Sequence, residues 1–308
     1  MIMARQASGR VLFSLDPDSA LACASVVAAS RRPGRSGRVR RRLAVDIHED
    51  YSALLLDRSW AQGARGQLAQ HLVRGFLSVA GGADLTVVAD DHVPPQVARN
   101  RVVVRNEPDL ALLPLPQPPG QQRRLLYVGD VRESRGLFAM LTAVQLAPGW
   151  ELDVVGPVAP VDGPALDTIL GDDPDLSARV RLHGRMPPGA AWELAAGAWA
   201  GLLLLSDTPA FRRAQPSKLG EYLACGLPVI TTDLPRPAEL IREQGAGVVV
   251  SGGNAEHVGA GVGRALRRWQ DDPRSYRSCR QAALGWAAEQ RQRPGPYRQL
   301  GELVAGLG

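Results

Sequence analysis

Ten short apolar runs constrain this chain more than any other feature. They are "RVLFSL" (10–15), "LAVDI" (43–47), "LTVVA" (85–89), "RVVVR" (101–105), "LLYVG" (125–129), "WELDVVG" (150–156), "RVRLHG" (179–184), "GLLLLS" (201–206), "LPVITT" (227–232) and "AGVVV" (246–250). Each has strand length, and most lack the polar alternation of a strand with one wet face. From 125 onward each run is followed by a helix-like segment, which predicts parallel strands buried on both faces. Helical patterns over 254–270, 273–292 and 296–306 close the chain. In such sheets ligands sit at the carboxyl ends of the strands, where loops meet helix N-termini.

The runs fall into two groups. Between the fourth and fifth lies "LALLPLPQPPGQQRR" (110–124), whose centre holds five prolines or glycines and no helical period. It reads as a linker. The expected organisation is α/β, with two Rossmann-like domains within 308 residues. Residues 1–109 form a first, incomplete domain with about four strands. Residues 125–292 form a second with a complete six-stranded parallel sheet, and 293–308 form a C-terminal helix.

Charge and cysteine usage exclude several classes. Cys23, Cys225 and Cys279 are far apart and show no metal-ligand spacing, which suits free thiols in a reducing compartment. Asp16 and Asp18 interrupt the only N-terminal stretch resembling a leader, and no run reaches membrane-spanning length. A cytoplasmic location is expected. The formal charge of +5 comes from "RRPGRSGRVRRR" (31–42), whose seven arginines leave 5 − 7 = −2 for the remainder. This Arg31–Arg42 cluster suits either a solvated loop or contact with a phosphorylated acceptor or with anionic headgroups at the inner membrane face. Nucleic acid is not expected as a partner, because no aromatics interleave the arginines and no recognition motif follows.

Of 36 basic residues only Lys218 is a lysine. Three Asn and five Ile beside abundant Ala, Gly, Pro and Arg suggest a GC-rich genome that disfavours lysine codons. A retained lysine fits a crowded anion pocket, because an ammonium is compact where a guanidinium is a broad fork. It lies in "AQPSKLGEYLACGLPVI" (214–230). Pro216 suits a helix start, so Ser217, Lys218, Leu219 and Gly220 would present free N–H groups in the first turn. Glu221, three residues after Lys218, shares its face. In "YVGDVRESRGLFAML" (127–141), Gly129 ends a strand and Arg135 opens a helix, a second place for an anion. In "HGRMPPG" (183–189), His183 reads as a turn histidine.

Taken together, "PSKLGEYLACGLPVITTDLPRPAELI", "YVGDVRESRG" and "RVRLHGRMP" in the second domain resemble the donor-sugar segments of the family 4 glycosyltransferases, retaining enzymes of GT-B architecture. "DPDSALACASVVAA", "VDIHEDYSALLLDRSW" and "RVVVRNEPDL" resemble first-domain segments of one bacterial branch, so the match spans roughly residues 11–265. The resemblance implies a nucleotide-diphosphate sugar bound mainly by the second domain. Arg135 and Lys218 match the diphosphate-binding cations, beside Gly129, and Pro216, Ser217 and Leu219 share the donor segment. Glu221 matches the glutamate that holds the ribose, and Arg185 and Met186 fall where the base is contacted. His48 matches a first-domain histidine that faces the donor. Neither a metal nor another cofactor is implied.

Two departures modify that picture. Arg213 stands eight positions before Glu221, where the family has a glutamate that contacts the sugar. The chain also begins at what resembles a later strand of the first domain, with roughly 80 to 100 residues of a full domain lacking by ordinary domain size. Either the chain is a fragment or its reading frame is mis-started, or a partner subunit or second copy covers the exposed edge of the incomplete sheet. The leading expectation is sugar transfer; the alternative is an accessory subunit that keeps a donor-binding domain. A dinucleotide-binding Rossmann enzyme is disfavoured, since no G-x-G-x-x-G follows a strand with an acidic residue about 20 positions on.

Overall fold

The structure is a computed structural model that describes residues 9–31, 40–56, 61, 63–105, 107–214, 216–293 and 295–307. All ten apolar runs are strands, and they form two parallel sheets. The chain divides into two compact units, residues 1–107 with 294–308, and residues 108–293.

The first unit contains β1 (Val11–Ser14), α1 (Pro17–Ser30), β2 (Arg42–Ile47), α2 (Tyr51–Leu56), α3 (Gly63–Gly81), β3 (Leu85–Val88) and β4 (Arg101–Val103). Its strands run in the order β1-β2-β3-β4. Alternation along β2 sends Leu43, Val45 and Ile47 to one face, against Ala20, Val27, Phe76 and Ala80 of α1 and α3.

The second unit contains β5 (Arg123–Val128), α4 (Leu137–Leu146), β6 (Trp150–Val155), α5 (Gly163–Asp172), α6 (Pro174–Arg179) and β7 (Val180–Gly184). It continues with α7 (Pro188–Glu193), β8 (Ala200–Leu203), α8 (Pro209–Arg213), α9 (Ser217–Ala224), β9 (Val229–Thr232), α10 (Pro235–Gln244) and β10 (Gly247–Val250). Two long helices, α11 (Ala255–Asp271) and α12 (Pro273–Gln292), complete it. The final helix, α13 (Pro296–Ala305), belongs to the first unit.

The second sheet has the order β10-β9-β8-β5-β6-β7. The chain builds outward from β5 through β6 to β7, then returns to β8 and builds the other way. The strand order therefore reverses between β5 and β8, the position where open parallel sheets leave a crevice at their carboxyl ends. Leu125 and Tyr127 face α4 and α11, while Leu126 faces α9 and α12, so both sides of β5 are dry.

Two features, one in each unit, differ from the sequence expectation. The sheet face expected to need a partner is packed against α13, whose Leu300, Leu303 and Val304 meet Ala44, Leu85, Val87 and Val104. The C-terminal helix is thus part of the first unit's core, because its apolar stripe matches the face that α1 and α3 leave bare. The segment expected as a linker, 110–124, lies within the second unit, where Leu113 is buried.

The arginine cluster also has a structural component. Arg32, Arg35 and Arg38 lie outside the described residues, but Arg31 and Arg42 both bind Asp84. Asp84 is 2% exposed and also accepts the Leu43 N–H at 2.9 Å. Burial alone would raise this carboxyl, but the Leu43 amide, the Arg42 hydrogen bond and the two arginine charges outweigh it and hold it below its ordinary value. Among the described residues no helix is long and apolar enough to cross a membrane.

A depressed native carboxyl stabilises the fold above its unfolded value and loses that contribution as pH falls through the native one. Asp84→Asn is expected to cost on the order of 2 kcal/mol at neutral pH, between a buried and an exposed ion pair. The difference from the wild type should shrink below about pH 3.9, the ordinary Asp value. Urea denaturation at pH 7 and at pH 3 checks both statements.

Candidate functional site

The crevice at the strand reversal is built from two chain segments that approach unusually closely. β5 ends in Tyr127-Val128-Gly129, and Gly129 has φ +144°. A Cβ placed there would lie 2.2 Å from Lys218 Cε and 2.8 Å from Nζ. The lysine side chain therefore lies directly over the Gly129 backbone, and glycine is the residue that leaves it room. The next strand end repeats the device. At Gly156, after β6, a Cβ would lie 1.7 Å from the Gly129 carbonyl oxygen, and the Gly129 N–H donates to Val155 O at 2.8 Å.

Helix α9 supplies Lys218 and is held onto the strands by Tyr222. The fully buried Tyr222 hydroxyl accepts the Val128 N–H at 3.0 Å, and its ring lies over Gly201, where a Cβ would be 2.3 Å from Cγ. Trp192 packs edge-on to the same ring at 5.4 Å. Leu219 is 1% exposed and fixes the apolar face. Pro216 precedes the helix with φ −64° and ψ 130° and makes no side-chain cap hydrogen bond; contrary to the sequence expectation, the Leu219 N–H is not free but donates to Pro216 O at 3.1 Å, closing a tight first turn. Its first N–H groups are thus at the mouth of the crevice with an ammonium beside them, an arrangement that favours an anion.

Glu221 is half-buried next to this cation. Burial raises its carboxyl above the ordinary value, opposed by the Lys218 charge and a hydrogen bond with Ser217. Holding a partly desolvated carboxylate costs stability, and perturbed carboxyls of this kind cluster at functional sites.

The loop after β5 carries Arg135. It is stitched to neighbouring strand ends by Val131 N–H to Pro157 O (3.0 Å), Ala159 N–H to Val131 O (2.8 Å) and Ser206 N–H to Ser134 O (2.9 Å). Gly136, at φ +89°, allows Leu204 to close in, since a Cβ there would meet Leu204 Cβ at 2.4 Å. The Arg135 guanidinium lies 5.6 Å from the Phe211 ring centre, and its buried Nε has no hydrogen-bond partner among the described residues. Arg132 in the same loop pairs with Asp130. Tyr127 donates to Asp130 O at 2.6 Å, and burial pushes its phenol up to about 12 against the nearby Arg135.

The remaining sequence candidates divide. Met186 packs on the apolar face that also holds Leu219 and Tyr222, and Arg185 beside it is exposed. His183 is a structural residue: its Nε2 is 2.7 Å from Asp153 Oδ1, and Asp153 also binds Arg124 at 2.5 Å. His48 lies in the first unit, exposed, with Nε2 3.3 Å from Asp46 Oδ2. Burial raises the Asp46 carboxyl, opposed by His48 and the Ile47 amide. The structure thus places Gly129, Lys218, Ser217, Glu221 and Leu219 around one strand end, with Arg135 in the loop that leaves it. Sequence reading missed Tyr222, Gly156, Gly201 and Phe211. Of these only Gly156 carried a signal, as a glycine ending a strand like Gly129.

Comparison with known proteins agrees with this architecture. Residues 116–286 match the model of the family described as Glycosyl transferases group 1. Among solved structures, sucrose-phosphate synthase from Thermosynechococcus elongatus aligns with a TM-score of 0.69 at 16% identity, over 97% of this chain and 73% of that one. Anabaena HepE, solved in complex with UDP-glucose, aligns with a TM-score of 0.68 at 13% identity, over 96% of this chain and 79% of that one. WaaG, a glycosyltransferase involved in lipopolysaccharide biosynthesis, aligns with a TM-score of 0.59 at 17% identity, over 96% of this chain and 99% of that one. At these identities the structural likeness speaks to the fold alone. No curated protein sequence matches the chain. The family match covers more than half of the residues, and the two parallel sheets are those of the GT-B fold: the chain belongs to the group 1 glycosyl transferases.

Proposed function

We propose that this chain transfers a sugar from a nucleotide-diphosphate donor to an acceptor hydroxyl with retention of anomeric configuration, as a family 4 enzyme. The observation that carries the reading is Lys218 lying over Gly129 at an uncapped helix start, where the strand order reverses. A diphosphate needs such a place: close backbone, a helix start and a compact cation. HepE, a protein of similar fold, was solved with UDP-glucose and supplies a parallel for the donor.

In this reading Lys218, Arg135 and the first N–H groups of α9 neutralise the charge that builds on the leaving diphosphate as its bond to the anomeric carbon breaks. The acceptor oxygen bonds to that carbon on the same face, and a donor phosphate oxygen takes the acceptor's proton. Glu221 receives the ribose hydroxyls, and the backbone at Arg185 and Met186 receives the base. His48, oriented by Asp46, serves the donor from the first unit. With charge compensation supplied by side chains, transfer proceeds without a metal ion.

Thermal-shift measurements with UDP, GDP and dTDP are expected to show stabilisation by at least one. A nucleotide present at 100 times its Kd contributes about 2.7 kcal/mol. Lys218→Ala should abolish the shift, and NMR of the product should show the donor's anomeric configuration. Absence of a shift with all three nucleotides would overturn the reading. Glu221→Gln separates binding from stability. Because burial raises the native Glu221 carboxyl, the ionised form is penalised above that native value and the penalty vanishes below the unfolded one, about 4.3. The unliganded variant should therefore melt higher than the wild type at pH 7 and alike near pH 4, while binding nucleotide more weakly.

A further inference from the structure

The chain passes between its two units at 107/108 and again at 293/294. Within the second unit both passages run onto the back of α9, the side away from Gly129. Pro108, the first residue of that unit, lies against Gly220, where a Cβ would be 3.1 Å from Pro108 Cδ and 3.6 Å from Trp286 Cη2. Pro116 lies against Gly226, at φ +72°, where a Cβ would be 2.8 Å from both Pro116 Cβ and Leu284 Cδ2. The proline-rich segment is thus a strap wedged between α9 and α12.

Two arginines of α12 fasten it. Arg291 Nη1 donates to Leu110 O at 3.0 Å, while Nη2 donates to Pro114 O at 3.1 Å and reaches Ala224 O at 3.4 Å. Arg280, 8% exposed, donates through Nη1 to Gly226 O at 2.9 Å and through Nη2 to Gln117 O. Ala224 closes α9 and Gly226 follows it, where helix carbonyls lack partners of their own. A strap rich in proline is equally poor in internal hydrogen bonds. The guanidinium fork serves both sets of carbonyls at once, which an ammonium on a single stem does not.

We propose that Arg291, seconded by Arg280, is a positioning residue for the donor site. It ties both chain passages to α9, so that the seat of Lys218 over Gly129 depends on the seating of residues 108–117. In front α9 is held by Tyr222 on Val128; behind, it is held by this clamp. Resting on the donor reading above, the consequence is a reciprocal linkage. Filling the donor site holds the strap down, and lifting the strap weakens donor binding by the same factor.

The test compares full-length wild type, Arg291→Ala and Trp269→Phe by hydrogen exchange and by nucleotide binding. Trp269 lies in the core on the other face of the sheet, so its variant reports general destabilisation. In Arg291→Ala, amides of 217–224 are expected to exchange faster together with 110–117, while β5 and β6 stay protected. The Kd of whichever nucleotide diphosphate binds the wild type should rise roughly fivefold or more, measured well below melting. Trp269→Phe should leave that Kd unchanged. Loosening of 110–117 with α9 unaffected overturns the proposal, as does equal loss of affinity in Trp269→Phe. Should the wild type bind no nucleotide diphosphate, the donor reading fails, and the exchange comparison still decides whether Arg291 seats α9.

Discussion

The closure of α9 onto the end of β5 is the constraint on which the rest of the second unit depends. A helix normally stands off a sheet by the thickness of its side chains. Here Gly201 lets the Tyr222 ring sit on the sheet, and the Tyr222 hydroxyl replaces a strand partner for the Val128 N–H. Gly129 then lets the Lys218 stem lie over the backbone. Each glycine removes a side chain that would hold the two segments apart, and the buried hydrogen bond penalises any alternative seat, since an unpaired buried N–H costs about 1–3 kcal/mol. Stability and site geometry are in this way the same contacts.

Charges in the two units are spent differently. In the first, Arg31 and Arg42 converge on one buried aspartate, and the result is purely architectural. In the second, Asp153 plays the same part for Arg124 and His183. The groups around Gly129 are less fully satisfied. Among the described residues Arg135 Nε is buried without a hydrogen-bond partner, and the Lys218 charge and the Ser217 hydrogen bond only partly offset the burial of Glu221. Perturbed, partly satisfied polar groups of this kind cluster at functional sites, in line with the function proposed for this crevice.

Much of the fold was legible in the residue order. "YVG" and "DVVG" end strands with a glycine, "PSKLGEYLA" starts a helix with a proline, and these are local events within reach of local patterns. The candidate site was legible where it coincided with such punctuation, at Gly129, Pro216 and Lys218. It was illegible where a partner lies far away. Tyr222 is an ordinary helix aromatic until Val128, 94 residues earlier, is brought under it. His183 was read as a turn histidine, and only the sheet showed Asp153 beside it, from another strand.

The sequence by itself determined which segments are strands and helices and that the strands are parallel, because apolar periodicity and turn chemistry act over a few residues. Tertiary structure alone decided that α13 returns to cover the first sheet and that 110–124 is bound as a strap. Arg291 reaches Leu110 across 181 residues, and no spacing along the chain encodes such a contact. It exists because carbonyls at a helix end and in a proline-rich segment have few backbone donors, and packing brings one guanidinium between them.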